Sequence, residues 1–538
     1  MRTIKRLGVP TLLLAGFISC TPSGSNQSDA PELDARSIET FLQHMSVLSS
    51  DEMGGRRPGT AGYDSAAAYI ARESRAIGLE PGGAAGSYLQ PIHFRQARVS
   101  VPSAEFTVAE QALTYGSDYT LSPRTATSET DVRAPMIFAG FGISAPDLGY
   151  DDFEGIDVEG KLVVVVPGAP DAFGPLERTV LSSNASRDSE LRARGARGVV
   201  IVGPDELEDP GGTRVRYVPP MDRSPGHSRS EELEVSATVP RRIAAGWMTN
   251  SGHGLVDVLA SLRAGESRSF DFPFDGHVRA TFEHQSFESS NVAALLPGSD
   301  SRLRNEVLVL SAHLDHLGTG LPVDGDSIYN GTLDNASGSA ALLTLASTLG
   351  RLERPRRSIL FLWVTAEESG LLGSEYFARF PSLESGRVVA NQNMDGVMGL
   401  ITAATDVLAF GYEHSNLSEA VDYAVGVTGT PVAPDPTPEE NLFIRSDQYA
   451  FVREGIPAIW VQGGRSAVET DRDAQRELDQ WIAERYHKPT DDLDQPFDLE
   501  GVRRELASNL LVTWYITNRM DSIAWDTSSF LYRRWVAR

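Results

Sequence analysis

Three apolar runs of strand length each stop at residues that hold protons or metals. Val307 to Ala312 is followed by His313-Leu314-Asp315-His316, Ser358 to Thr365 by Ala366-Glu367-Glu368, and Val388 to Met394 by Asp395. A fourth segment, NGTLDNASGSAA (330–341), puts Asp334 and Asn335 just ahead of a helical pattern, and YHKPTDDLD (486–494) supplies His487. Singly, each has a plain explanation. Asp334 can cap a helix, a lone histidine is more often a rim or core residue, paired glutamates usually form a solvated face, and Asp395 can cap a turn. As a set they differ: two imidazoles and three or four carboxylates on one sheet edge would repel strongly without a cation among them. Mixed nitrogen and oxygen donors suit zinc, with cobalt or manganese as substitutes. The chain has one cysteine, so a thiolate structural site is excluded.

The elements that must position these groups follow from pattern. From Ser290 onward apolar strands, including Val407 to Gly411 and Ala458 to Gln462, alternate with helical stretches such as Ala336 to Leu349 and Leu371 to Phe380. That alternation predicts an α/β fold, a mostly parallel twisted sheet with helices on both faces. Ligands of such sheets bind outside the carboxyl ends of the strands, where the polar residues lie. Upstream, Ser37 to Leu48 has helical spacing, the Gly-rich loop Gly54 to Gly62 leads into a helix from Tyr63 to Ile77 that Gly78 stops, and Tyr88 to Val101 alternates as a strand. Between about Asp131 and Leu262 the texture changes to short apolar runs with many Gly and Pro turns, which reads as a small inserted β-rich domain.

Of 538 residues, 48 are Lys or Arg and 73 Asp or Glu, a formal charge of −25. With 41% hydrophobic and 22% charged residues the chain is globular over most of its length, and at 100–200 residues per domain it holds about two to four domains. No basic stripe is available to neutralise phosphates, which argues against nucleic acid as a partner. At the N-terminus Arg2, Lys5 and Arg6 precede an uncharged apolar run, Leu7 to Ser19, and then Cys20. The run is too short to span a bilayer and reads as an export signal. It resembles a bacterial lipoprotein signal with Cys20 as the lipidated residue, although Phe17 stands where such signals usually carry Leu; an ordinary cleaved signal is the alternative. Thr21 to Pro31 reads as a tether.

The motifs SAHLDHLG, NGTLDNASG, AEESGLLGS, NMDGV and YHKPTDDLD occur in the order and rough spacing of the co-catalytic zinc aminopeptidases. On these motifs the chain, from Ser37 to about Asn518, resembles that family, which includes bacterial secreted aminopeptidases, aminopeptidase Y, glutamate carboxypeptidase and the catalytically inactive transferrin receptor. The insert resembles the protease-associated domain that many members carry, most clearly over residues 138–166. The resemblance implies this division: signal peptide 1–19, lipidated tether 20–35, N-terminal part of the peptidase domain 36–130, protease-associated domain 131–262, and main zinc-peptidase part 263–538. It also implies a site of two Zn2+ ions, with Asp334 as bridging carboxylate, His313 and Asp395 on one metal, and Glu368 and His487 on the other. Glu367 resembles the general base, and Asp315 the residue that orients His313 through its other ring nitrogen. Tyr486 matches a tyrosine that in some relatives donates to the oxyanion; packing beside His487 accounts for it equally well. Arg445 and Asp447 lie in a segment that resembles a substrate-pocket wall, and either meet substrate polar groups or pair with each other. His316, His277 and His284 receive no role. Asn335 stands where many relatives have a second Asp, and Gly396 and Val397 where bulkier residues are common.

These readings predict a metallo-exopeptidase that removes N-terminal residues from peptides. Carboxypeptidase-type hydrolysis would want an Arg cluster that is not identifiable, a one-zinc glutaminyl cyclase would not need both His and every carboxylate, and a receptor-like binding protein would have broken ligand positions. The expected location is outside a bacterial cytoplasm, anchored in the envelope through Cys20 on the periplasmic or surface face, or secreted. Nothing in the sequence speaks to oligomeric state.

Overall fold

The computed structural model describes residues 30–34, 36–207, 212–219 and 232–537. The signal segment and Cys20 lie outside the described residues, as does most of the tether. Residues from Pro31 onward form one compact unit. No helix among the described residues is long and apolar enough to cross a membrane.

Three parallel strands lead into the candidate residues, and a fourth extends their ladder. β8 (Glu306–His313) pairs in parallel with β9 (Ser358–Val364) on one side and β10 (Arg387–Asn393) on the other, and β10 pairs in parallel with β12 (Ala458–Gly463). β11 (Val407–Phe410) closes that edge antiparallel to β12. β9 is buried along its whole length, as a strand covered on both faces must be. Its alternating residues sort to opposite sides. Leu360, Leu362 and Val364 pack with Phe377 and Phe451, from helices Leu372–Arg379 and Gln448–Arg453. Trp363 faces the other way, and its indole donates to Ser339 O (3.1 Å) on helix Gly338–Arg351.

On the far side of β9 runs β7 (Ser269–Leu296), a strand of 28 residues. Its C-terminal part, Val292–Leu296, pairs antiparallel with β9. Its N-terminal part, from Ser269 to Thr281, pairs antiparallel with β3 (Glu129–Ala139). The burial pattern tracks this change of neighbours. Phe272, Val278, Ala280 and Phe282 alternate with exposed residues, whereas Asn291 to Ala294 are buried without a break. From β3 a second parallel ladder continues through β4 (Leu162–Val165), β5 (Gly198–Gly203) and β6 (Val235–Pro240), with β2 (Thr120–Leu121) at its edge. β1 (Leu89–Val99) lies antiparallel along the middle of β7. The fold is therefore α/β with a mostly parallel sheet and helices on both faces.

Two N-terminal helices brace the site side. The helix Ser37–Leu48 buries Phe41, Met45 and Leu48, one face at helical spacing, against the helix Gly338–Arg351. The helix Ala61–Ile77 begins at Thr60, whose hydroxyl accepts from Tyr63 N, and ends at Gly78 in the left-handed conformation (φ 90°) that glycine adopts without steric cost.

Trp363 is fully buried, and its only polar atom is satisfied by Ser339. Trp363→Ala should leave the secondary structure intact by circular dichroism and lower stability by about 3–5 kcal/mol, read from the urea midpoint.

Candidate metal centre

The four parallel strands end at one edge, and the predicted residues converge there. The chain leaves β9 through Ala366, a non-glycine residue in left-handed backbone (φ 56°). Glu367 and Glu368 thus sit on a turn after the strand. Their divergence comes from that turn, which Asp315 holds: its carboxylate accepts from Glu367 N (3.1 Å) and Glu368 N (3.3 Å). Asp315 was expected to orient His313. The structure gives that contact to the Asp315 main-chain carbonyl, 3.2 Å from His313 Nδ1, because the side chain is turned inward onto the two amides.

Asp334 lies in a π-helical turn, Thr332–Ser337, ahead of the helix Gly338–Arg351, and so does not cap that helix. Asn335 takes that task, accepting from Gly338 N and Gly396 N (both 2.9 Å) and donating to Met394 O (3.1 Å). An acceptor at this position thus ties the Asp334 turn to the loop bearing Asp395. The buried Asp491 holds the turn from the other side: its carboxylate accepts from Leu333 N and Asp334 N, and from the Gln495 amide.

Each oxygen of Asp334 faces one imidazole. Oδ1 is 3.2 Å from His313 Nε2, and Oδ2 is 3.2 Å from His487 Nε2. His313 Nε2 is also 3.2 Å from Asp395 Oδ1, and His487 Nε2 is 3.2 Å from Glu368 Oε2. Charge-assisted hydrogen bonds run about 2.7–2.9 Å. Two donors on one tetrahedral zinc, with bonds near 2.0–2.1 Å, lie about 3.3 Å apart. All four contacts match the second spacing, so the donors present suit zinc, and Asp334 is common to both groups of donors.

His316 is the residue that sequence reasoning left out. It is fully buried, its Nδ1 is 2.7 Å from Glu368 Oε1, and it lies within 4.8 Å of donor atoms on Asp334 and Glu368. Its Nδ1 contact with Glu368 is of hydrogen-bond length, while its buried Nε2 has no partner among the described residues, so His316 stands beside His487 as a second imidazole near Asp334 and Glu368. Its spacing in HLDH, three residues after His313, was the available signal. His277 instead contacts Asp131 (2.7 Å) and His284 the Arg124 carbonyl (2.8 Å), both outside the cluster.

Tyr486 is 40% exposed, and its ring stacks on His487 at 3.9 Å. Asp447 is fully buried among the cluster's charges, and burial raises its carboxyl to about 7. Arg445 is exposed and pairs with Glu440 (3.0 Å), not with Asp447.

Without metal, protons do part of the work of cations. Burial disfavours a charged His487, but Asp334 and Glu368 outweigh it and push the imidazole up to about 10. His313 is likewise raised: burial opposes it, and Asp395 and Glu367 prevail. Asp334 is held well below the usual carboxylate range because the two imidazoles overcome its burial. Glu367 moves the other way, raised by desolvation and by its acidic neighbours. An ion binding here must displace the imidazole protons, so loading should fall in acid.

Residues 291–510 match the family model described as peptidase family M28. Leupeptin-inactivating enzyme 1 of Streptomyces exfoliatus is 30% identical over 246 residues, 44% of this chain and 49% of that protein. Leucine aminopeptidase 1 of Trichophyton rubrum is 29% identical over 193 residues, 34% of this chain and 49% of that protein. The chain thus spans about half the length of these two curated relatives. An aminopeptidase of Pseudomonas aeruginosa is 21% identical over 477 residues, 87% of this chain and 77% of that protein. Among solved structures, an aminopeptidase from Aneurinibacillus sp. strain AM-1 aligns over 92% of this chain and 97% of its own, with 20% identity and a TM-score of 0.49. The segment that matches the family model contains all five candidate metal donors, since they run from His313 to His487.

Asp491 touches the Asp334 turn only through main-chain amides. Asp491→Asn sets an amide N–H against those donors. It should weaken zinc affinity about 10–100-fold, measured by competition with a chromogenic chelator.

Proposed function

We propose that the protein is a zinc-dependent aminopeptidase that removes N-terminal residues from peptides, with two ions held by the segment that matches the M28 model and Glu367 as general base. The observation that carries this reading is Asp334, with one oxygen toward each imidazole at 3.2 Å. His313 and Asp395 complete one set of donors, and His487 and Glu368 the other. The names of the similar proteins, a leupeptin-inactivating enzyme and several aminopeptidases, support the substrate class.

Bound zinc supplies Lewis acidity to the attacking water and the scissile carbonyl. The chain's own residues do the rest. Glu367 is outside the donor set and belongs to the same turn as Glu368. Its carboxylate would take the water proton and return it to the leaving amine. Asp315 fixes the Glu367 and Glu368 amides, so base and ligand keep one separation. Glu367 and Asp395 also give the site a negative wall, which favours the α-ammonium of a peptide beside its scissile carbonyl and orients it for attack.

Glu367→Gln should keep the zinc content and the unfolding midpoint and lower kcat roughly 10²–10⁴-fold. Full activity in this variant would remove the assigned base. The negative wall gives a second expectation, because a free α-amino group, with a pKa of about 7.7–8.0, carries the charge that an acetylated one lacks. Leucyl anilide should be cleaved at least about 10²-fold faster than its acetylated form, the loss expected for one charged, desolvated contact. Equal rates on the pair, or internal cuts in a longer peptide followed by mass spectrometry, would leave a metallohydrolase and exclude the aminopeptidase.

A further inference from the structure

Arg56 belongs to the Gly-rich loop of the sequence and lies far outside the M28 match. It is fully buried. A buried guanidinium usually sits against a carboxylate, yet all its acceptors are main-chain carbonyls. Nε donates to Leu314 O (2.8 Å), Nη1 to Leu48 O and Asn330 O (both 2.6 Å), and Nη2 to Gly331 O (2.9 Å). Leu314 stands between His313 and Asp315, and Gly331 opens the turn that holds Asp334. One planar group thus ties both ligand-bearing loops to the end of the helix Ser37–Leu48. Its own carbonyl accepts from His316 N (3.3 Å).

The local backbone is shaped for this placement. Gly54, Gly55 and Arg56 all take left-handed conformations, with φ of 53°, 67° and 49°. Glycine tolerates this, and a Cβ on Gly55 would also stand 2.5 Å from Tyr329 O. Arginine at positive φ is strained, and such a conformation persists only where its surroundings hold it. Burial lowers the guanidinium to about 10 while Asp491, Asp315, Asp334 and Glu368 hold it up, so the group is a cation at neutral pH.

We propose that Arg56 is a positioning residue for the metal site, which clamps the Leu314 and Asn330–Gly331 loops at one separation and serves as a standing counter-charge that keeps the donors assembled when no ion is bound. This rests on the metal reading above. The two effects have one sign: without Arg56 the loops lose three bonds and the helix end one, and the nearby carboxylates lose a buried positive charge.

The test compares the full chain with Arg56→Met and Arg56→Lys. Hydrogen exchange is followed in peptides covering 314–318 and 330–334, with zinc and after chelation. Zinc affinity is taken from chelator competition. In the parent, both loops should remain protected after chelation. In Arg56→Met, exchange in these loops of the zinc-free protein should rise on the order of tenfold or more, with strand Glu306–His313 still protected. Zinc affinity should fall about 10–100-fold, and excess zinc should restore most of the kcat. Arg56→Lys keeps the charge without the planar fork and should fall between; it carries the test if Arg56→Met does not fold. Parent-like loop exchange and zinc affinity in a folded variant, with only a lower unfolding midpoint, would reduce Arg56 to a structural residue. If the parent binds no zinc, the metal reading fails, and the exchange comparison alone decides whether Arg56 holds the loops.

Discussion

Mutual repulsion among carboxyl groups is the constraint on which the rest of the site depends. Asp315, Asp334, Glu367, Glu368, Asp395, Asp447 and Asp491 crowd one sheet edge, and burial opposes ionisation of most of them. Desolvation of a charge costs several kcal/mol in a protein interior unless something compensates it. The fold answers in different ways for different groups. Asp315 and Asp491 are enclosed by main-chain amides, which turns two unfavourable charges into struts for the Glu367 turn and the Asp334 turn. Asp334, Glu368 and Asp395 instead face imidazoles, and these are the groups whose charge remains available to a cation. Burial raises Asp447 to about 7, as it does Asp315, against the opposing pull of His313 on both.

That division separates scaffold from chemistry within a single cluster of acids. A carboxylate saturated by N–H donors has little left to offer an ion, and one that shares an imidazole at 3.2 Å gives up only a proton when the ion arrives. Glu367 stands between the two cases. It gains a proton more readily than its neighbour Glu368, because Glu368 is held ionised by His316 and His487 against its own desolvation. Two adjacent residues of one type thus differ in proton affinity through the partners that the turn gives them.

The readable part of the sequence was what local pattern records. Apolar runs that end in acids or histidine placed the strands and the donors together, because a parallel sheet confines polar residues to its carboxyl edge. Gly78 stopped its helix as expected. What sequence did not reveal depends on partners distant along the chain. Arg56 meets carbonyls more than two hundred residues away, and a carbonyl has no signature in sequence. Asp491 was visible only as one acid in an acidic stretch. Asp315 lies in the cluster, but its carboxylate meets the Glu367 and Glu368 amides and its main-chain carbonyl faces His313, a choice that residue spacing does not encode. The strand Ser269–Leu296 escaped as a unit because its period changes where its neighbours change, so no single pattern covers it.

That strand also explains how the donors are presented on firm ground. Its last residues pair with the strand that leads into Glu367 and Glu368, while its first residues belong to the ladder of Glu129–Ala139. Asn291 stands at the junction. Its amide donates to Gln90 and to Gly373 O, and its oxygen accepts from Thr365 N, two residues before Glu367. Ser289 adds a hydroxyl contact to Thr365 at 2.7 Å. A polar pair buried in an otherwise apolar sheet is costly unless fully bonded, and here its bonds go to the strand end and to the helix after the glutamates. The turn carrying the base is thereby fixed from the strand side by Asn291 and Ser289 and from the loop side by Asp315, which leaves little freedom for Glu367 to exchange places with Glu368.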